Sequence, residues 1–242
     1  MRKTSLLLAL AAASAPIPGS PAAARDLDPV RGDGDEVTEE RLLGGFTRIE
    51  LRTHADVEVT EGPVPAVSVT LDRNLQPYVT TAVEGDRLVI GSSRPIRNRG
   101  PGKVVVSLPE LRGFDLEGSG DVRISGAEKD RDVALSIEGS GDLAWSGRAG
   151  KLEARITGSG NLRIRGAAGR LEAAIEGSGD VDARELAARS ARLAIAGSGD
   201  IDATLEGGAL AATVDGSGDI IWRGKAQVEV AAVSGSGSIR HR

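Results

Sequence analysis

Seven copies of Gly-Ser-Gly begin at Gly118, Gly139, Gly158, Gly177, Gly197, Gly216 and Gly235, at intervals of 21, 19, 19, 20, 19 and 19 residues. A unit of that length cannot bury its apolar face alone, so a fixed period near twenty implies units stacked as a solenoid. The residues two, four and six places before each triplet are apolar or small: Ile137, Leu135 and Val133, then Ile156, Ala154 and Leu152, then Ile175, Ala173 and Leu171, then Val214, Ala212 and Leu210. After the triplet the pattern resumes with Val122 and Ile124, Leu143 and Trp145, Leu162 and Ile164, Val181 and Ala183, Ile201 and Ala203, and Ile220 and Trp222. Strict alternation is the signature of half-buried strands, with Arg163, Asp182 and Asp202 between them facing solvent. Each unit therefore holds at least two strands joined at the triplet, and glycines such as Gly147 and Gly166 supply another corner.

These features predict an all-β fold: a right-handed parallel β-helix with about 19–20 residues per coil and an irregular β-rich N-terminal cap. The handedness follows from the prevalence of right-handed crossovers between parallel strands. Strands about 4.8 Å apart would make seven coils a rod of roughly 34 Å. Period-two runs from Phe46 onward, among them Val57 and Val59, Val67 to Leu71, and Val104 to Val106, build the cap. Helical spacing occurs weakly around Glu185 to Arg192 alone.

The start of the chain reads as an export signal over residues 1–24, with basic Arg2 and Lys3, an apolar run from Ser5 to Ala13, and a small-residue site at Ala22-Ala23-Ala24. That run is too short for a bilayer core of roughly 30 Å, so the mature chain is expected to carry no transmembrane segment. Residues 25–42 form a charged leader with too few apolar residues to fold against anything, and residues 43–242 form the folded domain, with the repeat coils over 112–242. The absence of cysteine removes both a disulfide framework and a lipid-bearing cysteine anchor.

Chemistry has little material to work with. The net charge of -5 is spread over interleaved acids and bases, which argues against nucleic acid as a partner. Five aromatic residues, Phe46, Tyr78, Phe114, Trp145 and Trp222, leave little for stacking platforms. The only histidines, His54 and His241, lie far apart in sequence with no cysteine, and the corner serines have no recurring base beside them. Arg31-Gly32-Asp33 sits in the charged leader and is assigned no role.

Stacking places Asp121, Asp142, Asn161, Asp180, Asp200 and Asp219 in one ladder. Unit charges about 4.8 Å apart repel by about 3.5 kcal/mol at an effective dielectric of 20, so the ladder needs compensation. Backbone N–H bonds in Asx-type turns, nearby arginines and bound cations are the three candidates. Asn161, and Ser238 in the last copy, fit a capping role better than a metal cage. No catalytic, cofactor-binding or metal residue is therefore expected, and the ligand-binding residues stay unassigned.

The stretches GFTRIELRTHADVEVTEGPVPAVSVTLDRNL and VVVSLPELRGFDLEGSGDVRISG, followed by the GSGD corners, resemble the bacterial "putative auto-transporter adhesin" family with a head GIN domain, over Leu43 to Arg242. The resemblance implies an exported right-handed β-helix and supplies no catalytic residues. The chain's last residues, SGSGSIRHR, lack the alternating strands of a membrane barrel. The expected protein is thus a non-catalytic cell-envelope β-helix, periplasmic, secreted or at the cell surface, displaying a polar repetitive face. Its candidate partners are a glycan, a lipid or another envelope protein, and weak self-association is expected from a poorly covered C-terminal end. A carbohydrate-active β-helix enzyme is the first alternative, favoured by any concave cluster of Asp, Glu and Arg, and an envelope scaffold the second.

Overall fold

The computed structural model describes residues 28–100, 102–128 and 130–242. The signal peptide expected over 1–24 and the start of the leader lie outside these residues. In chain order the strands are β1 (Val30–Arg31), β2 (Glu36–Arg41), β3 (Arg48–Leu51), β4 (Asp56–Glu61), β5 (Ala66–Asp72), β6 (Val79–Glu84), β7 (Arg87–Ser92), β8 (Ile96–Arg97), β9 (Lys103–Leu108), β10 (Gly113–Gly118), β11 (Asp121–Glu128), β12 (Val133–Gly139), β13 (Asp142–Gly158), β14 (Leu162–Gly177), β15 (Val181–Gly197), β16 (Ile201–Gly216), β17 (Asp219–Gly235) and β18 (Ser238–His241). A 3-10 turn over Arg73–Tyr78 separates β5 from β6.

The strands form a parallel β-solenoid of about seven turns. Each of β13 to β17 is a whole coil running from one corner to the next, and the register keeps like over like: Leu143 on Leu162, Leu152 on Leu171, Ile156 on Ile175, Gly158 on Gly177. The alternation read from the repeat is the core. In β13 Leu143, Trp145, Ala149, Leu152, Ala154 and Ile156 are all buried, and the second glycine of the triplet, Gly141, is buried with them.

One coil departs from its neighbours at the segment read as weakly helical. Residues 185–192 lie within β15, with Leu186, Ala188 and Ala191 buried. The register slips here, Arg163 pairing with Asp182 but Arg165 with Glu185, so this 20-residue coil carries one extra residue. A bulge of that kind breaks period two locally, and the broken alternation imitates helical spacing.

At the N-terminal end the stack does not follow chain order. β3 lies between β7 and β10, and β4 lies between β9 and β11, all in parallel. The coil over residues 48–61 thus rests on segments that come later in the sequence. Beneath it the sheet closes with antiparallel strands, β6 on β7 and β5 on β9.

The leader is not the unfolded tether expected of it. β2 pairs antiparallel with β5 from Glu36 opposite Asp72 to Arg41 opposite Val67, and β1 pairs with β8. Backbone pairing to an open edge needs few apolar side chains, and polar clamps complete it. Gln76 Nε2 donates to the carbonyls of Val37 and Val69 at 3.0 and 2.9 Å, and Arg73 Nε donates to Asp35 Oδ2 at 2.6 Å. Glu50 is the one deeply buried charge of the first coil, its side chain 3% exposed under Arg52 and Arg87. Burial alone would push its carboxyl up, but hydrogen bonds from Arg87 and Arg52 and their charges outweigh that and hold it below its ordinary value.

Candidate binding groove

The corner geometry explains the triplet. Its first glycine has φ between +118° and +141° in all seven copies, a backbone region that side-chain-bearing residues rarely enter. Its carbonyl accepts the next coil's serine N–H, as Gly139 O does from Ser159 at 2.9 Å, and in most corners the second glycine's N–H as well, Gly160 at 3.1 Å. A Cβ on Gly160 would come within 2.2 Å of Gly141 O, so close stacking forbids side chains at both glycine positions.

The first coil turns at Thr53-His54-Ala55, which stacks beneath Gly118-Ser119-Gly120. Glycine is not required there, because none of these three residues takes a positive φ. This alignment makes Asp56 the first rung of the ladder, directly under Asp121. The repeat count missed it because the triplet is missing, although Asp56-Val57-Glu58-Val59 has the same pattern as Asp121-Val122-Arg123-Ile124.

Most ladder carboxylates cap the coil above. Asp180 Oδ1 accepts the N–H of Asp200 at 2.8 Å, Asp200 Oδ1 that of Asp219 at 2.8 Å, and Asp142 Oδ1 that of Asn161 at 3.1 Å with Asn161 Nδ2 at 2.9 Å. Of the three compensations open to the ladder, backbone N–H donation is thus in place, running between coils rather than within one turn. At the top the Ser238 hydroxyl donates to Asp219 Oδ1 at 2.7 Å and, with Arg240, holds that carboxyl below its ordinary value.

One column over, the outward residues are Glu58, Arg123, Ala144, Arg163, Asp182 and Asp202 in successive coils. From Arg123 to Asp202 this column, with the ladder from Asp121 to Asp200, lines an open groove of about 570 Å³ running along the stack. Its walls carry six carboxylates (Asp121, Asp142, Asp180, Asp182, Asp200, Asp202) against three guanidiniums (Arg123, Arg163, Arg184). Arg184, beside the bulge, grips Asp182 with two side-chain bonds of 2.9 and 2.8 Å. Those bonds, with Arg163 3.5 Å away, hold the Asp182 carboxyl down to about 2. Asp202 is bound by Arg223. Arg123 differs: it is exposed, flanked by small Ala144, and has no ion-pair partner among the described residues.

Other residues singled out in the sequence lie elsewhere. His54 is exposed at the first corner, while His241 stacks on Trp222 in the last coil, ring centroids 3.9 Å apart, so the two share no site. Among the described residues no group of three or more His, Cys, Asp or Glu is arranged to hold a metal ion. In Arg31-Gly32-Asp33, Asp33 Oδ1 accepts the Asp35 N–H at 3.0 Å and closes a turn. No helix among the described residues is long and apolar enough to cross a membrane.

Solved structures share this architecture. A putative lipid binding protein from Parabacteroides distasonis ATCC 8503 superposes with a TM-score of 0.75 at 27% identity, over 89% of this chain and 100% of its own. A putative adhesin from Bacteroides fragilis NCTC 9343 gives 0.77 at 21% identity, over 88% and 100%, and a putative adhesin from Parabacteroides merdae ATCC 43184 gives 0.66 at 22%, over 89% and 100%. Nothing matches among the curated proteins. The family model described as "Putative auto-transporter adhesin, head GIN domain" matches residues 45–226 and 188–242, and with most of the sequence covered the chain belongs to that family.

Proposed function

We propose that the protein is an exported, non-catalytic binding protein of the cell envelope, periplasmic or at the cell surface, whose groove holds a polyhydroxylated ligand, a glycan, along the stack. The signal peptide over 1–24 serves its export. The single observation that carries this reading is the groove itself, in which carboxylates and guanidiniums recur at the rung spacing with most already ordered by each other. Pre-ordered polar groups bind hydroxyl-rich ligands without first losing side-chain entropy. The excess of carboxylates over guanidiniums disfavours a polyanion, and Arg123 offers unengaged donors near one end of the groove.

The concave Asp and Arg cluster also favours a second reading, a carbohydrate-active enzyme. Hydrolysis needs one carboxyl raised enough to protonate a leaving group, and Asp182 moves the opposite way. A lipid, suggested by the Parabacteroides distasonis relative, would have to bind by its headgroup, because the apolar cavity lined by Val69, Leu71, Val79 and Ile96 measures about 20 Å³, too small for an acyl chain.

Calorimetric titration with neutral, acidic and basic oligosaccharides tests the reading, with chromatography of the mixtures for cleaved products. Binding of neutral or basic sugars without turnover, weakened at least fivefold by Arg123→Ala, is expected. Failure of every sugar to bind overturns the proposal, and product release establishes the enzyme.

A further inference from the structure

The last coil leaves the solenoid with a step. β18 adds a rung over Asp219 to Trp222, but among the described residues nothing pairs with the run before that corner, where Val228, Val230 and Val233 are 47%, 46% and 45% exposed. The backbone of this edge is free in a defined pattern. The N–H of Ser236 donates to Gly216 O at 2.9 Å and that of Arg242 to Trp222 O at 3.0 Å, so these residues turn their groups back to the preceding coil. In a parallel ladder successive residues point to opposite sides, which directs the N–H and C=O of Ala231, Val233, Ile239 and His241 out of the stack. These same residues continue the inward-facing columns of Ala212, Val214, Ile220 and Trp222.

We propose that this end is an interface between two copies of the chain, joined head to head about a two-fold axis through the Ser236 corner. The axis lays the rung Ser238–His241 of one protomer antiparallel on residues 231–234 of the other, and the reverse, so each step fills its counterpart. Counting outward from Ser236 sets Ile239 opposite the other protomer's Val233, and His241 opposite its Ala231. All four have free backbone groups facing the joint and side chains facing the core, as a hydrogen-bonded antiparallel pair requires. On the third side of the coil the axis brings Lys225 of one protomer towards Glu229 of the other. Both are exposed and without an ion-pair partner among the described residues. The charge match selects a second copy over an unrelated strand.

The interface is isologous and closes at two protomers, because the opposite end of the stack is covered by antiparallel strands. Sedimentation velocity of the purified chain across the micromolar to millimolar range tests it. A monomer–dimer equilibrium is expected, abolished by Val233→Lys and weakened about tenfold by Glu229→Lys or Lys225→Glu alone, with the double swap restoring it. Circular dichroism checks folding, and should Val233→Lys not fold, the exposed charge swap still decides. A strict monomer overturns the proposal and leaves the edge to a strand from another protein. Polymers that lengthen with concentration, or single charge changes without effect, overturn it as well. Groove residues are untouched in every variant, so this result stands apart from the sugar titrations.

Discussion

Replacing Gly177 with alanine perturbs two terms that can be measured apart. Gly177 has φ +135°, and an added Cβ would lie 2.2 Å from Gly158 O in the preceding coil. That carbonyl accepts the N–H of Ser178 at 2.9 Å and of Gly179 at 3.2 Å, so relieving the overlap loosens both bonds. Strain at such a φ costs about 1–3 kcal/mol, and two weakened bonds add about 1–3 kcal/mol. Gly207 isolates the first term, since its φ is +127° but nothing lies within 4 Å of its hypothetical Cβ. Gly177→Ala should therefore lose about 2–6 kcal/mol and Gly207→Ala about 1–3 kcal/mol in urea unfolding followed by circular dichroism. Hydrogen exchange should place the Gly177→Ala damage in the two coils that meet there. If the two variants unfold within about 0.5 kcal/mol of each other, the approach of the neighbouring carbonyl is not what selects glycine.

Three further outcomes follow from the ion pairs and the ladder. The Asp182 carboxyl titrates at about 2 in the fold against an ordinary 3.8, so its stabilisation is complete above about pH 4 and is lost as the pH falls towards 2; Asp182→Asn should cost up to about 2 kcal/mol at pH 7 and flatten the melting curve's acid dependence across that window. An acid slope unchanged by the substitution refutes the pairing with Arg184. Arg87→Ala strips the bond of 2.5 Å from buried Glu50 and should cost about 3 kcal/mol, of which Glu50→Gln in the same chain recovers part; no recovery means the loss came from packing. Asp200→Asn keeps the oxygen that receives the Asp219 N–H and should unfold within about 0.5 kcal/mol of the parent, whereas Asp200→Ala should lose about 1 kcal/mol, with calcium changing neither melt. A calcium-dependent rise of several degrees would sink the capping role.

The coils were legible because nothing in them is conditional. Their inward residues alternate, their corners recur, and the departures at Asn161 and Ser238 pointed to the capping that the hydrogen bonds display. What the pattern could not carry was anything set by a neighbour distant in sequence. Thr53-His54-Ala55 escapes the glycine rule because its backbone takes no positive φ, in a coil that rests on the later strands β7 and β9. The leader strand is held by Gln76 and Arg73, more than thirty residues away. The groove's electrostatics depend on one extra residue in the fifteenth strand, whose bulge sets Arg184 against Asp182, and a strand with a bulge reads as a poor helix when only its own residues are considered.

The order of stacking at the N-terminal end has a temporal consequence. A chain delivered from its N-terminus presents residues 48–61 first, yet the strands they rest on end only at Leu108. Until that point has emerged, the first coil has neither floor nor roof, and every later coil lacks a template to lengthen. Assembly therefore has one slow, long-range closure at its beginning, after which each further turn of about nineteen residues can lie down on a finished surface, as bricks follow a laid course.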